Sequence, residues 1–156
     1  MDHNYSLRPI QQGDLAFLET VYSSTRTEEM ALTGWPPEQI RSFLSMQFNA
    51  QHTYYQQHYG DSQFDLIVAQ GQDVGRLYLQ RKKNEFRIVD IALLPEWRGK
   101  GIGAKMLRDI QSEARGVGKG VSIHVEHNNP AMSLYLRLGF KKIGDTGVYF
   151  HMEWRP

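Results

Sequence analysis

The apolar positions of the chain repeat at helical spacing in some stretches and at strand spacing in others. Tyr5 to Pro9 predicts a short strand ending on a proline. Gly13-Asp14 then opens a helix, with Leu15, Leu18 and Tyr22 on one face and Val21 beside them. Thr27 to Trp35 has no period and runs into Gly34-Trp35-Pro36-Pro37, a loop signature. Proline is tolerated in the first turn of a helix, so a second helix is predicted from Pro36 or Pro37, carried by Ile40, Phe43, Leu44, Gln47, Phe48 and Gln51. Phe64 to Ala69, Val74 to Gln80 and Phe86 to Leu94 read as three strands joined by short polar turns. After Pro95 and a glycine cluster, Ile102, Met106, Ile110 and Ala114 form an i,i+4 ladder, stopped by Gly116 and Gly118. Val121 to Val125 alternates as a strand. Asn129-Pro130 reads as N-cap and first residue of another helix, and Gly139 ends it. Phe140 to Ile143 and Val148 to Trp154 close the chain as two strands. The order is βααβββαβαββ, an α/β (α+β) domain with a mixed sheet, spanning residues 1–156 as one unit.

The segment with the most chemistry in it is Ile91-Ala92-Leu93-Leu94-Pro95-Glu96-Trp97-Arg98-Gly99-Lys100-Gly101-Ile102-Gly103-Ala104. It is a strand, a turn, and then glycines at a helix N-terminus. The first helical turn has unpaired N–H groups and the positive end of the dipole, and glycines let an anion approach the backbone. Three glycines with Arg98 and Lys100 exceed what a tight turn alone requires, so a phosphate site is the favoured reading. Gly99, Gly101 and Ala104 fit a dinucleotide G-x-G-x-x-A pattern, but Pro95-Glu96-Trp97 intervenes after the strand and the chain is too short for a second nucleotide half. No Walker A loop occurs.

Arg98-Gly99-Lys100-Gly101-Ile102-Gly103 resembles the Arg/Gln-x-x-Gly-x-Gly/Ala pyrophosphate loop of the GNAT superfamily, the acyl-CoA-dependent N-acetyltransferases. Downstream, Asn128-Asn129-Pro130-Ala131-Met132-Ser133-Leu134-Tyr135-Leu136-Arg137-Leu138-Gly139-Phe140 resembles the second signature of that family, N-x-x-A-x-x-L-Y-x-x-x-G-F. The resemblance implies a mixed, mostly antiparallel central sheet of about seven strands flanked by about four helices. It implies acetyl-CoA as cosubstrate, without a metal, and transfer of the acetyl group to a primary amine by direct attack in a ternary complex. Ile91, Ala92, Leu93 and Leu94 would offer backbone groups to the pantetheine arm. The N–H groups from Arg98 through Gly99, Lys100, Gly101, Ile102, Gly103 and Ala104 would hold the pyrophosphate. Asn128 and Ser133 would contact the cosubstrate. Tyr135 would sit near the sulfur and protonate the departing thiolate.

The residues themselves leave some roles open. A tyrosine stays protonated at neutral pH and suits a general acid, but Tyr135 also lies on an apolar stripe and can be core. Asp90 is the other catalytic candidate; in an apolar strand it is either the base or a structural acceptor, and the structural role is favoured. Glu28, Glu29, Glu85, Glu126 and His124 are further candidate bases. Glu28, Glu29 and Trp35, between the first two helices, are expected to meet the acceptor. The aromatic cluster Tyr54, Tyr55, His58 and Tyr59 is either packing or a substrate wall. A non-enzymatic CoA-binding or acyl-CoA-sensing module, and a nucleotide-binding regulatory domain, are the alternatives.

Composition bounds these readings. The absence of cysteine excludes disulfides, thiolate metal sites and a cysteine acyl-enzyme, which leaves direct transfer as the simplest route. The six histidines show no i,i+4 pair, so no metal site is expected. The formal charge of +1 gives no argument for nucleic acid or membrane, and the start of the chain lacks signal-peptide character. A cytoplasmic monomer or homodimer is expected. The charge is split, however. Gln11 to Gly75 holds eight acids and two bases, and Leu94 to Lys142 holds nine bases and four acids. This split favours a basic cosubstrate half and a cationic acceptor.

Overall fold

The computed structural model describes residues 3–156. The strands are β1 (Ser6–Pro9), β2 (Gln63–Ala69), β3 (Gln72–Arg81), β4 (Glu85–Leu93), β5 (Gly120–Glu126), β6 (Lys141–Asp145) and β7 (Tyr149–Trp154). They form one seven-stranded sheet in the order β1-β2-β3-β4-β5-β7-β6. Short polar turns join β2, β3 and β4, so those neighbours are antiparallel. The β4-to-β5 connection instead carries a helix, which reverses the chain and makes this pair parallel.

The helices are α1 (Leu15–Ser24), α2 (Thr27–Ala31), α3 (Pro37–His58), α4 (Ile102–Gly116) and α5 (Met132–Arg137). Alternation along the strands sends side chains to two faces. One face buries Ile67, Leu77, Phe86, Ile88, Val121 and Met152 against the Ile102-Met106-Ile110-Ala114 ladder of α4. The other buries Leu66 and Tyr78 under Leu18 and Tyr22 of α1 and Leu44 and Phe48 of α3. Each fully buried side chain of this kind contributes about 1.5–3 kcal/mol.

Two elements differ from the sequence expectation. Thr27–Ala31, expected as loop, is the short helix α2; five residues are too few to display a hydrophobic period, and an Arg26–Glu29 ion pair at 2.8 Å spans its start. Helix α5 begins at Met132 rather than directly after Asn129. The Asn129 side chain accepts the Ala131 N–H at 2.8 Å and turns the chain just before the helix.

The feature that positions the site is a parting of β4 from β5. Their parallel pairing covers Glu85 to Ile88 against Gly120 to Ile123 and stops there. Opposite, β3 pairs with β4 through Leu93, with a bulge that sets Tyr78 on Asp90 and Leu79 on Ile88, leaving Val89 as the extra residue. The bulge bends β4 away while β5 continues along β7 to Glu126. Leu94 donates its N–H to Val74 O at 2.8 Å, so Ala92 and Asp90 also face β3 in the hydrogen-bonded sense. By alternation, the N–H and C=O groups of Ile91 and Leu93 face the gap.

Candidate functional site

At the far end of β4 the chain makes a 3₁₀ turn over Pro95–Trp97 and enters the glycine loop. Gly99 and Gly101 have φ of 72° and 88°, left-handed conformations that glycine adopts without a Cβ penalty. Gly101 is the N-cap of α4 and supplies no side chain to cap it. Among the described residues, the N–H groups of Gly99 to Ala104 have no protein acceptor; the first bond of the helix is Lys105 N–H to Gly101 O at 3.0 Å. Six unpartnered donors at the positive end of a fifteen-residue helix suit the anion of a diphosphate.

The basic side chains of this region divide unevenly. Arg98 turns back, donating from Nε to Leu93 O at 2.9 Å and from its terminal nitrogen to Ser24 Oγ at 3.3 Å. Its N–H donates to Pro95 O. Arg98 therefore fixes the end of β4 to α1, and one of the gap-facing carbonyls is in use. Lys105 pairs with Asp109 at 3.0 Å. Lys100 lies over the Trp97 ring, 5.3 Å from its centroid. His3 packs on Gly101, with Nδ1 2.7 Å from Lys100 O.

Where β4 and β5 part, a cleft of about 470 Å³ opens between the sheet, α1 and the end of α3. Asp90, Ile91, Ala92 and Tyr135, all expected at the site, line it. Leu93, Leu94 and the glycine loop continue from it along β4. Asn128 is exposed just before α5 and Ser133 is exposed on it, and Asn128 makes no hydrogen bond with the described residues, as its neighbour Asn129 takes the turn. Glu28, Glu29 and Trp35 do not line the cleft. Glu29 pairs with Arg26, and Trp35 packs edge-on against Phe43. Tyr22, Thr25 and Arg26 reach the cleft from that region instead.

Asp90 is held from two sides. Arg76 donates to both of its carboxylate oxygens, at 3.2 and 2.9 Å, and the Tyr55 hydroxyl donates to Oδ2 at 2.9 Å. Gln51 accepts a further Arg76 N–H at 2.9 Å. Burial raises the Tyr55 hydroxyl pKa, and the Asp90 charge adds to this. Tyr135 is 4% exposed, and burial, then the Asp90 charge, push its pKa well up as well. Both phenols therefore remain hydrogen-bond donors at neutral pH. Across the cleft, Arg26 grips Glu126 with two hydrogen bonds, at 2.9 and 3.2 Å, joining the start of α2 to the end of β5.

Sequence reasoning missed Arg26, Arg76 and Arg87. The last two stand in strands read as apolar, and an arginine inside such a run opposite Asp90 was the available signal. Their presence also makes the cleft less acidic than the charge split along the chain suggests. The cleft is lined by three arginines and two carboxylate residues, because the acids of the first half pair elsewhere, Asp14 and Asp73 with Arg8 for example. Among the described residues, no group of three or more His, Asp or Glu is placed to hold a metal ion, and no helix is long and apolar enough to cross a membrane.

The parting of β4 from β5 and the unpartnered loop at the N-terminus of α4 thus adjoin one strand. The model of the acetyltransferase (GNAT) domain matches residues 62–142, and the chain belongs to that family. The fold is similar over 98% of this chain and 99% of the other to a PaiA N-acetyltransferase from Thermoplasma acidophilum in complex with coenzyme A, with a TM-score of 0.73 at 22% identity. It is similar over the same shares to PH1933 from Pyrococcus horikoshii, with a TM-score of 0.71. A 60-residue stretch is 42% identical to the mouse cysteine-rich protein 2-binding protein, covering 38% of this chain and 7% of that protein. A 69-residue stretch is 29% identical to the N-alpha-acetyltransferase RimI of Mycobacterium tuberculosis, covering 44% and 43% of the two. The matches thus span less than half the length of these relatives.

Proposed function

We propose that the chain transfers an acetyl group from acetyl-CoA to a primary amine by direct attack within a ternary complex. The observation that carries this is the continuity of three features along β4: free loop N–H groups, a strand edge open at Ile91 and at the Leu93 N–H, and a cleft lined by Tyr135. The backbone donors of Gly99 to Ala104 would hold the diphosphate, and the open edge of β4 would hold the pantetheine arm as an added strand. Asn128, exposed just before α5, and Ser133, exposed on it, would flank that arm. The thioester supplies the electrophilic carbonyl.

The neutral amine nitrogen attacks the carbonyl carbon, forming the C–N bond as the carbonyl π pair moves to oxygen. A β4 N–H facing the gap stabilises that oxyanion. When the pair returns, the C–S bond breaks and the sulfur leaves with it. The nitrogen loses one proton and the sulfur gains one. Tyr135 donates a hydrogen bond to the departing sulfur. Its raised pKa makes complete proton transfer from the phenol uphill, unless the proton released by the amine replaces it. Asp90 serves as anchor for Arg76 and Tyr55 rather than as base, since its oxygens already accept three hydrogen bonds.

Thermal shift tests the binding half. A ligand at 100 times its Kd adds about 2.7 kcal/mol, or roughly 5–10 °C at this size. A shift with CoA and acetyl-CoA but not with NAD is expected; a shift with NAD alone refutes the reading. Tyr135→Phe is expected to lower kcat on an accepted amine with unchanged acetyl-CoA affinity. Tight CoA binding without turnover of any amine would favour an acyl-CoA sensor.

A further inference from the structure

The half of the sheet face that α1 and α3 leave uncovered carries a cation without a carboxylate. Phe86, Ile88, Val121, Ile123 and Met152 point into the α4 core, so their neighbours Arg87, Ser122, His124 and His151 point the other way. Arg87 pairs with Ser122 one position before β4 and β5 part. It is one of three guanidiniums on the cleft. Arg26 is bound by Glu126 and Glu29, and Arg76 by Asp90. Among the described residues, Arg87 has no carboxylate at ion-pair distance. The acids on its own face are engaged elsewhere: Glu85 lies 3.8 Å from Lys82 Nζ, and Glu153 lies 2.7 Å from Arg155 Nε.

What Arg87 does contact sharpens its character. Its terminal nitrogen donates to His124 Nδ1 at 2.6 Å, and its Nε is buried with no acceptor. A guanidinium is always the donor, so His124 accepts on Nδ1 and carries its proton on Nε2. Burial, then the charges of Arg87 and His151, hold the imidazole below its ordinary pKa, against a smaller opposing effect of Glu85. His124 is exposed on the cleft wall. By accepting on Nδ1 it holds one guanidinium N–H in place, and the remaining N–H groups stand in a partly desolvated place with one positive charge left over. A partly buried cation of this kind is costly unless an anion offsets it, and a guanidinium fork fits a carboxylate.

We propose that Arg87, oriented by His124, binds a carboxylate on the acceptor, so that the amines taken by this chain are ones that also carry a carboxylate. The proposal rests on the acyl-transfer reading for the word acceptor, but the binding itself does not. An acceptor held at Arg87 extends along β4 toward Ile91, Ala92 and Tyr135, where the reacting carbonyl would lie.

The test is calorimetric binding of matched pairs, with and without saturating CoA. Each of β-alanine, 4-aminobutyrate, 6-aminohexanoate and L-phenylalanine is compared with its primary amide. At least one acid is expected to bind about 10-fold or more tightly than its amide. That ratio is expected to fall to about 1 in Arg87→Gln and to be only partly kept in Arg87→Lys, which retains charge but loses the fork. The CoA-induced thermal shift of Arg87→Gln should match wild type. If Arg87→Gln does not fold, His124→Ala takes its place, with a smaller drop expected. Equal binding of every acid and its amide, or a preference that survives removal of both side chains, overturns the proposal. Failure of CoA to stabilise wild type instead overturns the acyl-transfer reading, while the acid-to-amide ratio on the protein alone still decides this one.

Discussion

Replacing Asp90 with alanine takes from Arg76 the carboxylate that two of its nitrogens hold, and takes from the Tyr55 hydroxyl its acceptor. The Arg76 side chain is 4% exposed and that of Asp90 14%, so the guanidinium is left charged with little access to water. Stranding one partner of a buried pair costs about 3–5 kcal/mol. For a domain of this size each kcal/mol moves Tm by about 2–4 °C, so Asp90→Ala should melt roughly 6–20 °C below wild type. Combining Arg76→Met with Asp90→Leu removes both charges and should recover stability to within about 1 kcal/mol of wild type. Urea unfolding of wild type, Arg76→Met, Asp90→Leu and the double variant closes the cycle and gives the coupling directly. An Asp90→Ala protein that unfolds at the wild-type midpoint yet has lost turnover would refute the anchoring role and make Asp90 the proton acceptor. A double variant as unstable as the single would show that the stranded charge is not the cause.

Spectrophotometric titration near 295 nm should show Tyr5, Tyr55, Tyr78 and Tyr135 resisting ionisation until the chain unfolds, because burial raises all four pKa values. The sign follows from linkage: with folded values above the unfolded value of 10.0, their contribution is complete below pH 10 and is lost as the pH climbs beyond it. Tyrosinate absorbance from these four that appears before the far-UV circular dichroism signal falls would contradict this. Gly103→Trp should keep wild-type stability, since a Cβ there meets only Leu93 Cδ1 at 3.9 Å, but should abolish the CoA-induced thermal shift. Retained CoA affinity would place the diphosphate elsewhere. Gly101→Ala should cost about 1–2 kcal/mol by denaturation, since φ is 88° and the new Cβ would lie 2.5 Å from the His3 ring.

Much of this protein was determined by the sequence alone, and the reason is locality. The Ile102-Met106-Ile110-Ala114 ladder, the alternation of β3 to β5 and the glycines at 99, 101 and 103 act over a few residues, so the elements, their order and the anion loop were legible in the chain. Tyr135 and Asp90 could be singled out, but not their environments. Only the tertiary structure decided that Asp90 lies between Arg76 and Tyr55, because that contact joins β3, β4 and α3. Only the bulge at Val89 parts β4 from β5, a matter of register between strands that no single segment specifies. The charge split of the chain was likewise a poor guide to the cleft: Arg8 takes up Asp14 and Asp73, Arg26 reaches Glu126, and charges act through distance in space rather than order in sequence. That Arg87, alone of the three cleft arginines, has no carboxylate partner among the described residues is visible only once the sheet has formed.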